Sequence, residues 1–125
     1  MELANLLIEA RHEGRTIVRP SHYLHEFDLD YGYEVYAAVD QGLRAQGLKP
    51  AGRKLGFTNE AARKEFHLDT AIWAYIYTET VVETKGSEIE VDLSGLVAPR
   101  IEPEVVIGVS DRISRAGDDL SHLVD

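Results

Sequence analysis

The first half of the chain has its apolar residues at helical spacing. One apolar face covers residues 3–13 and ends before Gly14, which predicts a short amphipathic helix. A second, longer helix is predicted from about residue 29 to residue 46, because apolar positions recur every four residues until Gly47. The residues that define the two faces are Leu3, Leu6, Leu7 and Ala10 in the first helix, and Val35, Val39 and Leu43 in the second.

The second half of the chain has the pattern of strands. Residues 87–93 alternate strictly between acidic and apolar side chains, and residues 74–82 are rich in aromatic and β-branched residues. The predicted strands are 51–58, 74–82, 87–93, 96–99 and 104–110. One or two helical turns are predicted at 59–66, with Thr58 or Asn59 as N-cap. A further helix is predicted to start in the tail at 115–125, with Asp118 or Asp119 as its cap. This order predicts an α+β fold in one domain of residues 1–125, with N-terminal helices packed on a mixed, mainly antiparallel sheet.

The composition limits the classes of function that the chain can have. The chain of 125 residues has a net charge of −9, which argues against nucleic-acid binding and is compatible with cation binding. It contains no cysteine, so disulfides, thiolate metal sites and a cysteine nucleophile are excluded. The sequence has no signal-peptide pattern and no apolar stretch long enough for a membrane span, so the cytoplasm is the predicted location.

Two glutamates in the stretch "PRIEPE" are candidate metal ligands. Glu102 and Glu104 point to the same face if the segment is extended, with Cα atoms about 6.5–7 Å apart. Both carboxylates could then converge on one divalent cation, and oxygen ligands suit Mg²⁺, Mn²⁺ or Ca²⁺ rather than zinc. The alternative, favoured by spacing alone, is two surface glutamates on an edge strand with Arg100 as their partner.

A lysine between two glycines is the second candidate. In the predicted strand at 51–58, alternation places Lys54, Gly56 and Thr58 on one face. The glycines allow a ligand to approach the backbone closely, and the lysine could hold a carboxylate or act in acid–base chemistry. The alternative is an ordinary surface lysine on a strand.

Three ordered segments together resemble a known family. "GRKLGFTNEAARKEF", "DTAIWAYIYTETV" and "GLVAPRIEPEVVIGV" are similar to the N-terminal half of the 2-keto-4-pentenoate hydratase/4-oxalocrotonate decarboxylase family, within the fumarylacetoacetate hydrolase superfamily. The family pattern is a G-x-K-I-G-L-T-S segment, a W/F-G-x-L stretch and a P-R-x-E-x-E segment. This chain departs from it at Ala74, where glycine is common, and at Asn59, where serine is common.

The resemblance implies a site and a chemistry. The fold would be part of a fumarylacetoacetate-hydrolase-like β-roll, with Glu102 and Glu104 as ligands of Mg²⁺ or Mn²⁺. Lys54 would be the catalytic residue, and Lys54, Gly56 and Thr58 would bind substrate. The implied activity is that of a lyase, a hydratase or a decarboxylase, acting on small 2-oxo or 2-hydroxydienoic acids in aromatic-compound catabolism. The substrate would chelate the metal, which stabilises the enolate, while Lys54 orients the substrate or moves a proton.

The resemblance also implies that a third metal ligand and part of the domain are missing from these 125 residues. Family members have a third acidic ligand downstream, and the candidates Asp111, Asp118, Asp119 and Asp125 do not lie in that context. The 125 residues are therefore expected to be the N-terminal part of a longer domain, with weak metal binding and little turnover alone. We expect a homo-oligomer or complementation by another chain; the alternative function is a non-catalytic half-fold that binds and stabilises an intact homologue.

Overall fold

Three helices and two strands form the regular structure of residues 2–109. The computed structural model describes residues 2–109. The elements, in chain order, are α1 (Glu2–Glu13), α2 (Leu29–Ala45), β1 (Pro50–Gly56), α3 (Glu60–Glu65) and β2 (Ile72–Tyr77), with single 3₁₀ turns at Pro20–His22 and Thr78–Thr80. The predicted α+β class is confirmed, and the two long helices match the predicted ranges to within a residue.

Helices α1 and α2 pack against each other and form the main core. Leu3, Ala4 and Val35 are buried at its centre, and half-buried apolar side chains from both helices and the connecting segment surround them. Asp28 caps α2 by accepting a hydrogen bond from the Tyr31 N–H at 2.8 Å. The helix ends at Ala45, and Gly47, the predicted stop, follows two residues later with a φ of 98° in the left-handed region that glycine adopts readily.

Strands β1 and β2 form an antiparallel pair, with α3 in the connection between them. Lys54 lies opposite Ala74, and Gly56 lies opposite Ile72. Of the two predicted caps of α3, Thr58 and Asn59, the structure has Asn59 in this role. Its side chain accepts a hydrogen bond from the Ala61 N–H at 2.8 Å. Strand β2 begins two residues earlier than predicted and ends at Tyr77, because the next three residues form a 3₁₀ turn.

Helix α2 covers the edge of β2 that does not pair with β1. Three side chains of the helix bond to three alternate residues of the strand. The pairs are the Trp73 N–H to the Tyr33 hydroxyl at 3.0 Å, the Tyr75 N–H to the Tyr36 hydroxyl at 2.6 Å, and the Tyr77 hydroxyl to the Asp40 carboxylate at 2.8 Å. The pairs stay in register because two strand residues advance about 6.7 Å, and three or four helical residues about 4.5–6 Å. Strand donors that would be left unpaired at a sheet edge are thereby satisfied.

The prediction of further strands after β2 is wrong within the described residues. Residues 87–93, 96–99 and 104–109 contain no strand, and the sheet has two antiparallel strands rather than a larger mixed set. Val105 and Val106, which belong to the strand predicted at 104–110, are 89% and 90% exposed. A strand requires a neighbour, and within residues 2–109 β1 and β2 pair only with each other. The β-roll implied by the resemblance is therefore not confirmed.

Two further expectations concern the tail helix and membrane-spanning segments. The predicted tail helix at 115–125 lies outside the described residues. Within residues 2–109, the helices are all too short or too polar to cross a membrane.

Candidate functional site

The structure brings together three of the predicted site residues. The Lys54 ammonium lies 3.1 Å from Glu102 Oε2 and donates a hydrogen bond to Glu104 Oε1. The two glutamates lie about 50 residues further along the chain than the lysine, so the contact is a tertiary one. Both carboxylates therefore contact a single cationic group, the Lys54 ammonium.

Local structure explains how the three side chains meet. Lys54 lies within β1, and its cross-strand neighbour Ala74 carries only a methyl group, so this face of the pair is open above the strand. The glutamates belong to an irregular segment, in which Pro103 fixes φ and cannot donate to a strand ladder. The side chains of Lys54, Glu102 and Glu104 are 43%, 63% and 54% exposed, so solvent screens the cluster.

The electrostatics of the cluster favour a charged lysine. Hydrogen bonds to Glu104 and then to Glu102 raise the pKa of Lys54, with the charges of both carboxylates adding to the effect. Lys54 is therefore an ammonium at neutral pH, able to bind an anion or donate a proton. In the alternative interpretation the partner of the surface glutamates was Arg100, but in the described part of the chain the cation they contact is Lys54.

On the opposite face of β1, a different cation, Arg53, packs on aromatic rings. The Arg53 guanidinium lies over the Trp73 ring, 4.4 Å from its centroid, and 5.5 Å from that of Tyr75. This contact was not predicted from sequence, although strand alternation already placed Arg53 and Lys54 on opposite faces. Arg53 is thus engaged in packing by cation–π contacts, whereas Lys54 is available to the glutamates.

The remaining two predicted residues lie at the end of β1. A Cβ at Gly56 would lie 3.3 Å from Ile72 Cγ1, so close packing between the two strands accounts for this glycine. Strand β1 ends at Gly56, and Phe57 has a left-handed φ of 55°, so the alternation that put Thr58 on the lysine face does not reach it. The Thr58 carbonyl accepts a hydrogen bond from Arg63 at 2.7 Å. The assignment of Gly56 and Thr58 to substrate binding stays a prediction.

The donor set is compatible with a hard divalent cation. Oxygens of the two carboxylates contact the same ammonium nitrogen, and Mg²⁺ or Mn²⁺ prefers carboxylate oxygens as ligands. Within residues 2–109 there is no group of three or more acidic or histidine side chains that could hold a metal. Any other ligands of an ion at Glu102 and Glu104 would come from water, from substrate or from outside these residues. The downstream aspartates considered from sequence lie outside the described range.

Two curated proteins are similar to this chain. A protein from Pseudomonas putida named TodF product hydratase is 28% identical over 102 residues, which is 82% of this chain and 37% of the relative. A 4-oxalocrotonate decarboxylase from a Pseudomonas species is 32% identical over 68 residues, which is 54% of this chain and 25% of the relative. The aligned part is thus little more than a third of the first relative and a quarter of the second. No family model and no solved structure matches the chain.

These two matches confirm the resemblance that the motifs predicted. The names of the relatives are those of a hydratase and a decarboxylase, the two activities of the family recognised from the ordered lysine and glutamate segments. The lysine and glutamate segments that carry the resemblance are also the segments that the fold brings into contact.

Proposed function

We propose that the chain supplies the metal-binding glutamates and the lysine of a divalent-metal-dependent lyase of the hydratase or decarboxylase type. Its substrates would be small 2-oxo or 2-hydroxydienoic acids formed in aromatic-compound catabolism in the cytoplasm. The observation that carries the proposal is the convergence of Glu102 and Glu104 on Lys54, since the family motifs that supply these residues are far apart in sequence. The similarity to a hydratase and a decarboxylase supports the same conclusion.

In the proposed site each residue has a defined task. Glu102 and Glu104 would hold Mg²⁺ or Mn²⁺ through carboxylate oxygens. The bound ion supplies Lewis-acid stabilisation of the enolate form of a 2-oxo acid. Lys54, as an ammonium, would orient the substrate carboxylate or donate a proton from Nζ during ketonisation, and its raised pKa favours these tasks over that of a base. Gly56 and Thr58 would complete the substrate-binding surface at the end of β1.

The first test is a calorimetric titration of the purified chain with Mn²⁺. We expect Glu102→Gln and Glu104→Gln each to weaken binding by about tenfold, or about 1.4 kcal/mol, because each removes one charged oxygen ligand. The matched control is Glu90→Gln, which changes an exposed glutamate elsewhere in the chain and should leave the affinity unaltered.

The same titration is repeated with pyruvate, which presents a carboxylate and a 2-oxo oxygen. If the site accepts 2-oxo acids, pyruvate should strengthen Mn²⁺ binding to the wild-type chain by linkage. Binding of Mn²⁺ by both glutamine variants with wild-type affinity would show that the site is wrongly assigned. An unchanged affinity in pyruvate would refute the proposed substrate class.

A second candidate function is that of a non-catalytic partner for a longer homologue. The observation that favours it is a run of exposed apolar side chains in residues 101–109. These are Ile101, Val105, Val106, Ile107 and Val109, which are 96%, 89%, 90%, 78% and 68% exposed. Such β-branched residues favour strands and, without a neighbour in the described structure, are suited to adding a strand to the sheet of another protein. The proposed occupant is a longer hydratase of the same family.

This candidate predicts a complex that size-exclusion chromatography can detect. The wild-type chain, co-expressed with the Pseudomonas putida hydratase, should elute with it, and Val106→Asp should elute alone because the charge opposes burial of the segment. The control is Val18→Asp, which introduces the same charge at a site that is 66% exposed and outside the segment. Separate elution of the wild-type chain and the hydratase would eliminate the candidate.

A further inference from the structure

We infer that Lys54 is an internal counter-ion of the Glu102–Glu104 pair and that a divalent cation binds only by displacing it. The inference rests on the proposed metal site and adds an order of events at that site. The metal would enter first, the lysine would be released, and the released ammonium would then be available to the substrate carboxylate.

The competition follows from the atoms involved. The ammonium contacts Glu102 Oε2 and Glu104 Oε1, and the proposed cation would use oxygens of these same two carboxylates. Two carboxylates two residues apart repel each other unless a positive charge lies between them. One ammonium leaves the group of three side chains with a net charge of −1, whereas a divalent ion in its place neutralises both carboxylates. The exchange is therefore electrostatically favourable once the metal concentration is sufficient.

The lysine is free to leave for structural reasons. Its side chain is 43% exposed, and the contacts that its ammonium makes within residues 2–109 are with these two carboxylates. The neighbouring Arg53 differs, since its guanidinium lies over the Trp73 ring on the other face of β1. A flexible chain of four methylenes allows the lysine to swing away while β1 stays paired with β2. Displacement thus requires movement of one side chain and no rearrangement of the sheet.

The decisive variant is Lys54→Met, titrated with Mn²⁺ by calorimetry. Removal of the competing ammonium leaves two carboxylates in repulsion, so the affinity for Mn²⁺ should rise by about tenfold. The matched control is Lys64→Met, because Lys64 is also an exposed lysine paired with a glutamate, 2.8 Å from Glu60 in α3. This control makes the same change in net charge and should leave the affinity within about twofold of wild type at moderate ionic strength.

A second readout follows the lysine itself. The rate at which an amine-acylating reagent labels Lys54, measured by peptide mass spectrometry, should increase several-fold at saturating Mg²⁺, while the labelling of Lys64 should stay constant. A Lys54→Met affinity equal to or weaker than wild type, or Mg²⁺-independent labelling of Lys54, would overturn the inference and leave the metal site intact. Unchanged Mn²⁺ binding in Glu102→Gln and Glu104→Gln would instead refute the proposed function, so the two failures are distinguishable.

Discussion

The Val35→Asp variant is expected to lose at least about 3 kcal/mol of the free energy of unfolding, because the new carboxylate is buried without a partner. Val35 is 9% exposed and lies with Leu3 and Ala4 at the centre of the contact between α1 and α2. Small domains are stable by only about 5–15 kcal/mol in total, so the substitution removes a large share of the stability. We expect α1 to separate from α2 before the strand pair is lost.

Urea denaturation followed by circular dichroism measures this effect. The control is again Val18→Asp, since Val18 is 66% exposed and its substitution should change the stability by no more than about 0.5 kcal/mol. Valine and aspartate have similar helix propensities, so burial rather than propensity distinguishes the two sites. Equal losses in both variants would show that the contact between the helices is not the stabilising core.

Local signals explain why the helices were predicted correctly. Helices α1 and α2 each have an apolar face that is visible in the sequence, and a glycine follows the C-cap of α2. Asn59 was one of two possible caps of α3, because side chains of its type accept hydrogen bonds from helix N–H groups. All of these features depend on residues within a few positions of one another, so one sequence suffices to detect them.

The incorrect strands show the limit of the same reasoning. The alternation in residues 87–93 tells which side chains would face a core if a sheet were present, but it does not provide the neighbouring strand. Leu93 and Val91 are 54% and 57% exposed in the structure, so the pattern exists without the burial it predicts. Strand pairing is a non-local property, and the described part of this chain offers these segments no partner.

The candidate site was predicted by resemblance more than by spacing. Spacing alone favoured surface glutamates, and no periodicity relates Glu102 to a lysine about 50 residues earlier. The ordered family motifs placed Lys54 and the glutamates in one site, and the structure brings them into contact. The hydrogen bonds between α2 and β2 were not predicted from the sequence. A signal was available in the matched spacing of polar side chains on α2 with alternate residues of β2.

The last of these helix–strand contacts is part of a small hydrogen-bonded network. The Tyr77 hydroxyl donates to Asp40 Oδ1 at 2.8 Å, while the Arg44 Nε donates to Asp40 Oδ2 at 2.8 Å. Tyr77 is 5% exposed, and it is the most buried residue of the strand pair. Burial first, and then the hydrogen bond to Asp40, raise the pKa of Tyr77 well above its ordinary value. A tyrosinate at this position would be poorly solvated and would face a carboxylate.

Stability is therefore expected to fall steeply in alkaline solution. The unfolded chain releases the Tyr77 proton near pH 10 and the folded chain only at higher pH, so the contribution of Tyr77 is complete below about pH 10 and is lost as the pH rises further. The loss should approach about 1.4 kcal/mol per pH unit, or about 2–3 kcal/mol by pH 12.

Tyr77→Phe should be less stable than wild type at pH 8, because the Asp40 hydrogen bond is gone, and its stability should fall less steeply above pH 10. Urea denaturation between pH 8 and 12 measures both slopes, with Tyr23→Phe as the control at a side chain that is 50% exposed. Equal slopes in Tyr77→Phe and wild type would show that the Tyr77–Asp40 contact does not couple folding to this proton.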